Sequence, residues 1–88
     1  MKVLVDIGNT NVLMGKYDNS RLIDQVRYET NTVISSPDDI LKSLCIFLAD
    51  VEYVLISGVV PQGQKNLRIL ISKNFENLSI IELNTSDL

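Results

Sequence analysis

The 88-residue chain has no histidine, one cysteine, two prolines and no two basic residues side by side. Without histidine there is no Ser/His or Cys/His nucleophile pair and no histidine-bound metal. With Cys45 alone, an internal disulfide and a multi-cysteine metal site are excluded as well. Any chemistry is left to carboxylates, hydroxyls, amides and the backbone. Cys45 itself sits inside SLCIFLA at 43 to 49, a context that reads as core packing rather than a reactive thiol.

Positive charge is equally sparse. Eight Lys and Arg stand singly against eleven Asp and Glu, for a net charge of −3. A phosphate-neutralising stripe is missing, and nucleic acid is not an expected partner. No apolar run approaches the roughly 20 residues of a membrane span, and the opening MKVLVDIG meets Asp6 too early for a signal peptide. The expected setting is cytoplasmic and away from membranes.

What is present is a small globular chain, 45% hydrophobic and 22% charged, with no linker, repeat or low-complexity stretch. A chain this short buries only about 60 to 65% of its unfolded surface, so its core is modest. Lys2 to Ile7 reads as a central strand, because Val3, Leu4 and Val5 form an unalternated run of the kind buried on both faces. Residues 11 to 17 and 22 to 29 read as two further strands around a turn at Asp18, Asn19 and Ser20. Ser36, Pro37 and Asp39 predict a capped helix start, and Ile40, Leu41, Leu44, Cys45 and Leu48 carry that helix to about Ala49. YVLIS at 53 to 57 is a fourth strand. Leu67, Leu70, Ile71 and Phe75 mark a second helix, and 78 to 83 a last strand. The order βββαβαβ, with right-handed crossovers, predicts an α/β fold: a five-stranded mixed sheet of ribonuclease H-like type.

The informative stretch is VDIGNTNVLMG at 5 to 15. A strand that ends on Asp6 in such a sheet ends at the mouth of the crevice where α/β sheets bind ligands. A carboxylate there can hold Mg²⁺ through its waters, while Gly8 admits a phosphate and the turn's N–H groups, with Asn9 and Thr10, donate to its oxygens. Asp, Gly and Asn are also favoured turn residues, so the string alone leaves an Asx-type turn and a phosphate cradle both open. Gly8 further suggests a positive φ. Neither a P-loop nor a dinucleotide-binding glycine motif occurs.

D-I-G-N-T-N at 6 to 11, the strand VLMGKYD at 12 to 18, and ISGVVP at 56 to 61 together resemble the N-terminal part of the type III pantothenate kinases, in the acetate and sugar kinase, Hsc70 and actin superfamily. The resemblance spans the whole chain. It implies an actin-like lobe over residues 1 to 88 that takes part in ATP-dependent phosphorylation of pantothenate to 4'-phosphopantothenate, the first step of coenzyme A biosynthesis. It implies nucleotide contacts on Asp6, Ile7, Gly8, Asn9, Thr10, Asn11, Val12 and Leu13, with Asp6 beside Mg²⁺ and the phosphates. The family's second lobe, its G-x-D-R segment with the catalytic base and pantothenate contacts, and its K⁺ or NH₄⁺ ligands fall outside residues 1 to 88, so the lobe alone is expected to be inactive. Gly58 departs from the family's I-S-S-V-V-P, which has a second serine there. A surface left bare implies a homodimer or self-association, with Phe47 and Val59 to Pro61 as the expected contact. A non-catalytic nucleotide-binding or regulatory module of the same superfamily is the alternative. A sugar kinase would show a second glycine at Asn9, and a ribonuclease H-like nuclease would want another acid where Ser57 and Gly58 stand.

Overall fold

A computed structural model describes residues 1–83. Its sheet has the strand order β3-β2-β1-β4-β5. The first three strands, β1 (Lys2–Ile7), β2 (Asn11–Asp18) and β3 (Arg21–Glu29), form an antiparallel meander. β4 (Tyr53–Gly58) then runs parallel to β1, and β5 (Ser79–Glu82) parallel to β4. This is the five-stranded mixed sheet expected from the element order. The β2–β3 turn works because Asn19 takes a φ of 56°, a left-handed conformation that Asn tolerates.

Among the described residues the helices cover one face only. Both crossovers travel the same way across the sheet, from β3 to β4 and from β4 to β5, and right-handed connections therefore place their helices on the same side. On that side Val3, Val5 and Ile7 of β1 meet Met14, Val54 and Ile56 in a core closed by Val33, Leu44, Leu67 and Ile71. Lys2, Leu4 and Asp6 alternate outward. The expectation that β1 is buried on both faces is thus corrected: its apolar run is continuous in sequence, but half of it faces the bare side.

The first crossover also differs from the single helix expected over 36 to 49. It contains α1 (Thr30–Ser35), a 3-10 turn (Pro37–Ile40) and α2 (Leu41–Phe47). Pro37 disfavours the helical region for the residue before it, and Ser36 sits at φ −146°, which separates α1 from the rest. The Ser36 side chain makes no capping bond; its carbonyl accepts the Asp39 N–H at 3.0 Å instead. Asn66 of α3 (Pro61–Asn74) donates through Nδ2 to the carbonyls of Val33 and Ile34, at 3.2 and 2.9 Å, and so satisfies the end of α1 from across the core.

Cys45 is exposed, against the expectation of core packing. In a seven-residue helix Leu44, Phe47 and Leu48 already make the i, i+3, i+4 inward stripe, and Cys45 and Ile46 fall outside it. Phe47 is covered from within the chain: Lys16 Nζ lies 4.8 Å from its ring centroid and 3.1 Å from Asp50 Oδ1. Phe47 is therefore not available as a contact for another lobe or subunit, whereas Val59 is 61% exposed.

Candidate functional site

The β1–β2 hairpin closes with the Gly8 N–H donating to the Asn11 carbonyl at 2.9 Å, leaving Asn9 and Thr10 exposed at its tip. Gly8 does not take the positive φ expected of it, since among the described residues the only glycine with φ above zero is Gly58. Glycine at position 8 provides close approach instead, because a Cβ there would stand 3.2 Å from the Asn11 carbonyl oxygen.

Asp6 leaves the open face of the sheet, flanked in register by Leu13 on β2 and Ser57 on β4. These three line a depression of about 420 Å³ with Leu4, Tyr17, Leu22 and Leu55. Its lining is largely apolar, and Asp6 contributes a carboxylate to it. Gly8, Asn9, Thr10 and Asn11 stand outside it, so the structure divides the expected residues into a cavity set and a hairpin-tip set. Ile7 and Val12 are fully buried on the helix side, and any ligand contact they make is through backbone. The Ser57 hydroxyl turns back on its own sheet, donating to the Val5 carbonyl at 3.4 Å.

Among the described residues no group of three or more carboxylates or thiols stands together. An all-protein metal cage is therefore absent from them, but Mg²⁺ does not need one: it keeps several waters and binds through one or two carboxylates plus phosphate oxygens. A single exposed Asp6 beside exposed hydrogen-bond donors fits that mode.

Two further segments press on the end of β1. The Val59 N–H donates to the Ile7 carbonyl at 3.0 Å, and a Cβ on Gly58 would fall 2.5 Å from the same oxygen. The first turn of α3 follows closely, with Gly63 so near that a Cβ would lie 3.2 Å from Ile7 Cγ2. From the other side Thr30, 1% exposed, donates its N–H to the Thr10 carbonyl at 2.9 Å and its hydroxyl to the Gly8 carbonyl at 2.7 Å. Thr30 carried no signal in the sequence, lying in the polar run ETNT where nothing marks a buried hydroxyl; only the meeting of β2 and β3 puts it behind the hairpin.

The family model described as type III pantothenate kinase matches residues 2–87. The chain belongs to the type III pantothenate kinase family. A type III pantothenate kinase of Syntrophobacter fumaroxidans is 34% identical over 87 residues, covering 92% of this chain and 34% of the relative. A type III pantothenate kinase 1 of Francisella tularensis strain SCHU S4 is 30% identical over 97 residues, covering all of this chain and 37% of the relative. The chain thus spans about a third of the length of these kinases. Among solved structures, the Aquifex aeolicus member of the Ppx/GppA family matches 98% of this chain and 35% of its own, with a TM-score of 0.54 and 14% identity. That likeness concerns the fold alone, the α/β arrangement with a five-stranded mixed sheet expected from the sequence.

Gly58 has a steric role at the end of β4. Here β4 leaves the sheet against the backbone of Ile7 with no room for a side chain.

Proposed function

We propose that this chain is the ATP-phosphate-binding lobe of a pantothenate kinase, and that the complete enzyme transfers the terminal phosphoryl group of ATP to the primary hydroxyl of pantothenate. The observation that carries the reading is Asp6, exposed at the carboxyl end of the central strand beside a hairpin whose tip presents Asn9 and Thr10. Family membership supplies the acceptor.

In this reading the phosphates lie along residues 6 to 13. Asp6 would hold Mg²⁺ through water, and the ion would supply neutralisation of charge on the phosphate oxygens. Asn9 and Thr10 donate to those oxygens, and Gly8 and Asn11 set the width of the hairpin. Ile7, Val12 and Leu13 hold it to the sheet. Transfer breaks the bond between the terminal phosphorus and its bridging oxygen and forms one to the pantothenate hydroxyl oxygen, leaving ADP. The hydroxyl proton passes to a base, a role given to no residue of this chain, and the same holds for K⁺ or NH₄⁺ ligands. Phosphoryl transfer depends on positioning around donor and acceptor together, so the lobe by itself is inactive.

The domain reading follows: residues 1 to 88 are one nucleotide-binding lobe of a cytoplasmic enzyme. Its bare sheet face, with Leu4, Leu13, Leu22, Tyr53 and Ile81 partly exposed, is the surface through which the isolated lobe self-associates. The test is ADP formation dependent on pantothenate by the protein at its natural length. Wild type is expected to turn over, and Asp6→Asn to lose most of that rate while staying folded. Full activity in Asp6→Asn would overturn the assignment.

A further inference from the structure

We propose that Thr30 is a positioning residue of the phosphate hairpin, an inference that rests on the phosphate-binding reading above. A hairpin tip of exposed Asn9 and Thr10 has little of its own to fix its peptide planes. Thr30 supplies that restraint twice, through its N–H to the Thr10 carbonyl at 2.9 Å and its hydroxyl to the Gly8 carbonyl at 2.7 Å. A trans peptide holds C=O and N–H on opposite sides of one plane. With the Gly8 and Thr10 carbonyls held by Thr30, the planes of the two peptides that carry the Asn9 and Asn11 N–H groups are fixed, each N–H pointing away from the restrained carbonyl of its own peptide.

The arrangement is an unusual one for a hairpin. The Gly8 carbonyl receives a side-chain hydroxyl 22 residues distant rather than a bond from within its own turn. Among the described residues the Asn9 N–H, on one of the two peptides so fixed, is taken by no backbone acceptor. Thr30 in turn is locked: it is 1% exposed, and its methyl lies where a Cβ on Gly63 of α3 would be 3.8 Å away. Donors aimed and held before the ligand arrives lose less entropy on binding it. Thr30 touches no phosphate; it acts through Gly8 and Thr10.

The test measures binding of MgATP and of tripolyphosphate by the full chain, calorimetrically, in Thr30→Val, Thr30→Ser and Ile71→Val. Ile71 is buried in α3 and away from the hairpin, so its truncation reports what modest destabilisation alone does. Thr30→Val, with the hydroxyl removed and the shape kept, is expected to weaken both ligands by a similar factor of about three to ten. Thr30→Ser restores affinity to within about twofold, and Ile71→Val leaves it unchanged at a temperature where melting curves show every variant folded. Should Thr30→Val not fold, Thr30→Cys takes its place, a side chain of similar size with a weaker donor. Wild-type affinity in the folded Thr30 variant, or equal losses in it and Ile71→Val, overturns the positioning role alone. Absence of binding by wild type overturns the phosphate reading and this inference with it.

Discussion

Replacing Gly58 by alanine places a Cβ 2.5 Å from the Ile7 carbonyl oxygen, 2.6 Å from Ile7 Cβ and 2.9 Å from Ile7 N. Two of these atoms are backbone, and the third is fixed to it, so none can rotate aside. The strands themselves must part. β1 and β4 are paired in register from Lys2–Tyr53 to Ile7–Gly58, and the Val59 N–H is bonded to the very oxygen that is hit. Overpacking that forces backbone movement costs about 1 to 3 kcal/mol, and occasionally more. A domain of this size has a stability of about 4 to 13 kcal/mol, and each kcal/mol is worth about 4 to 8 °C in melting temperature. A loss near the upper end of that range, about 3 kcal/mol, lowers the midpoint by about 12 to 24 °C. The assay is thermal unfolding of the wild type, Gly58→Ala and Gly58→Ser by far-ultraviolet circular dichroism. Both variants are expected to fall together, serine no less than alanine, because the clash is made by Cβ. A Gly58→Ala midpoint within about 3 °C of wild type refutes the close approach of β4 to β1.

Other consequences are quicker to read. Asp6→Asn changes an exposed side chain, so its melting point should stay within the small shift of a surface substitution, about 0.5 kcal/mol, while MgATP affinity falls; a large loss of stability would instead give Asp6 a structural role. Cys45 is exposed, so a native-state thiol titration should run at nearly the rate of the unfolded chain, and strong protection would restore the core placement. The hydrogen bond from Lys16 holds the Asp50 carboxyl below its ordinary value of 3.8, so the unfolded chain takes up that proton first as pH falls. The stabilisation from this pair is complete above 3.8 and is lost as pH drops through the lower folded value; Asp50→Asn should therefore flatten the acid limb of urea midpoints, and an unchanged acid limb would refute the linkage. Sedimentation should show self-association that Leu4→Glu abolishes, whereas a monomeric wild type would remove the role given to the bare sheet face.

The sheet was legible because its evidence is local and redundant. Alternation in β3, turn residues at 18 to 20 and two helical stripes leave little choice of order, and right-handed crossovers then dictate which strands are neighbours. From sequence β1 reads as buried between helices on both faces, because Val3, Leu4 and Val5 look alike; only the finished sheet separates Leu4 from its neighbours. The split of the first crossover at Ser36 was hidden by a competing signal. Ser, Pro and Asp spell a helix start, and so they do, but of a 3-10 turn, after a short α1 whose polar residues carry no stripe. At the site, Asp6 and the hairpin were legible from residue type and spacing. Thr30 was not, because its importance lies in two carbonyls reached through tertiary contact. The closeness of Gly58 to β1 was not legible either, because it needs the Ile7 backbone beside it.

Whether the hairpin binds phosphate is decided by titrating the isotope-labelled chain with MgATP and following its backbone amide resonances. Phosphate binding there shifts resonances concentrated on Gly8, Asn9, Thr10 and Asn11, an effect reproduced by tripolyphosphate and greatly reduced in Asp6→Asn. No shifts at saturating nucleotide, or shifts gathered instead at the opposite end of the sheet around Asn19, would contradict it.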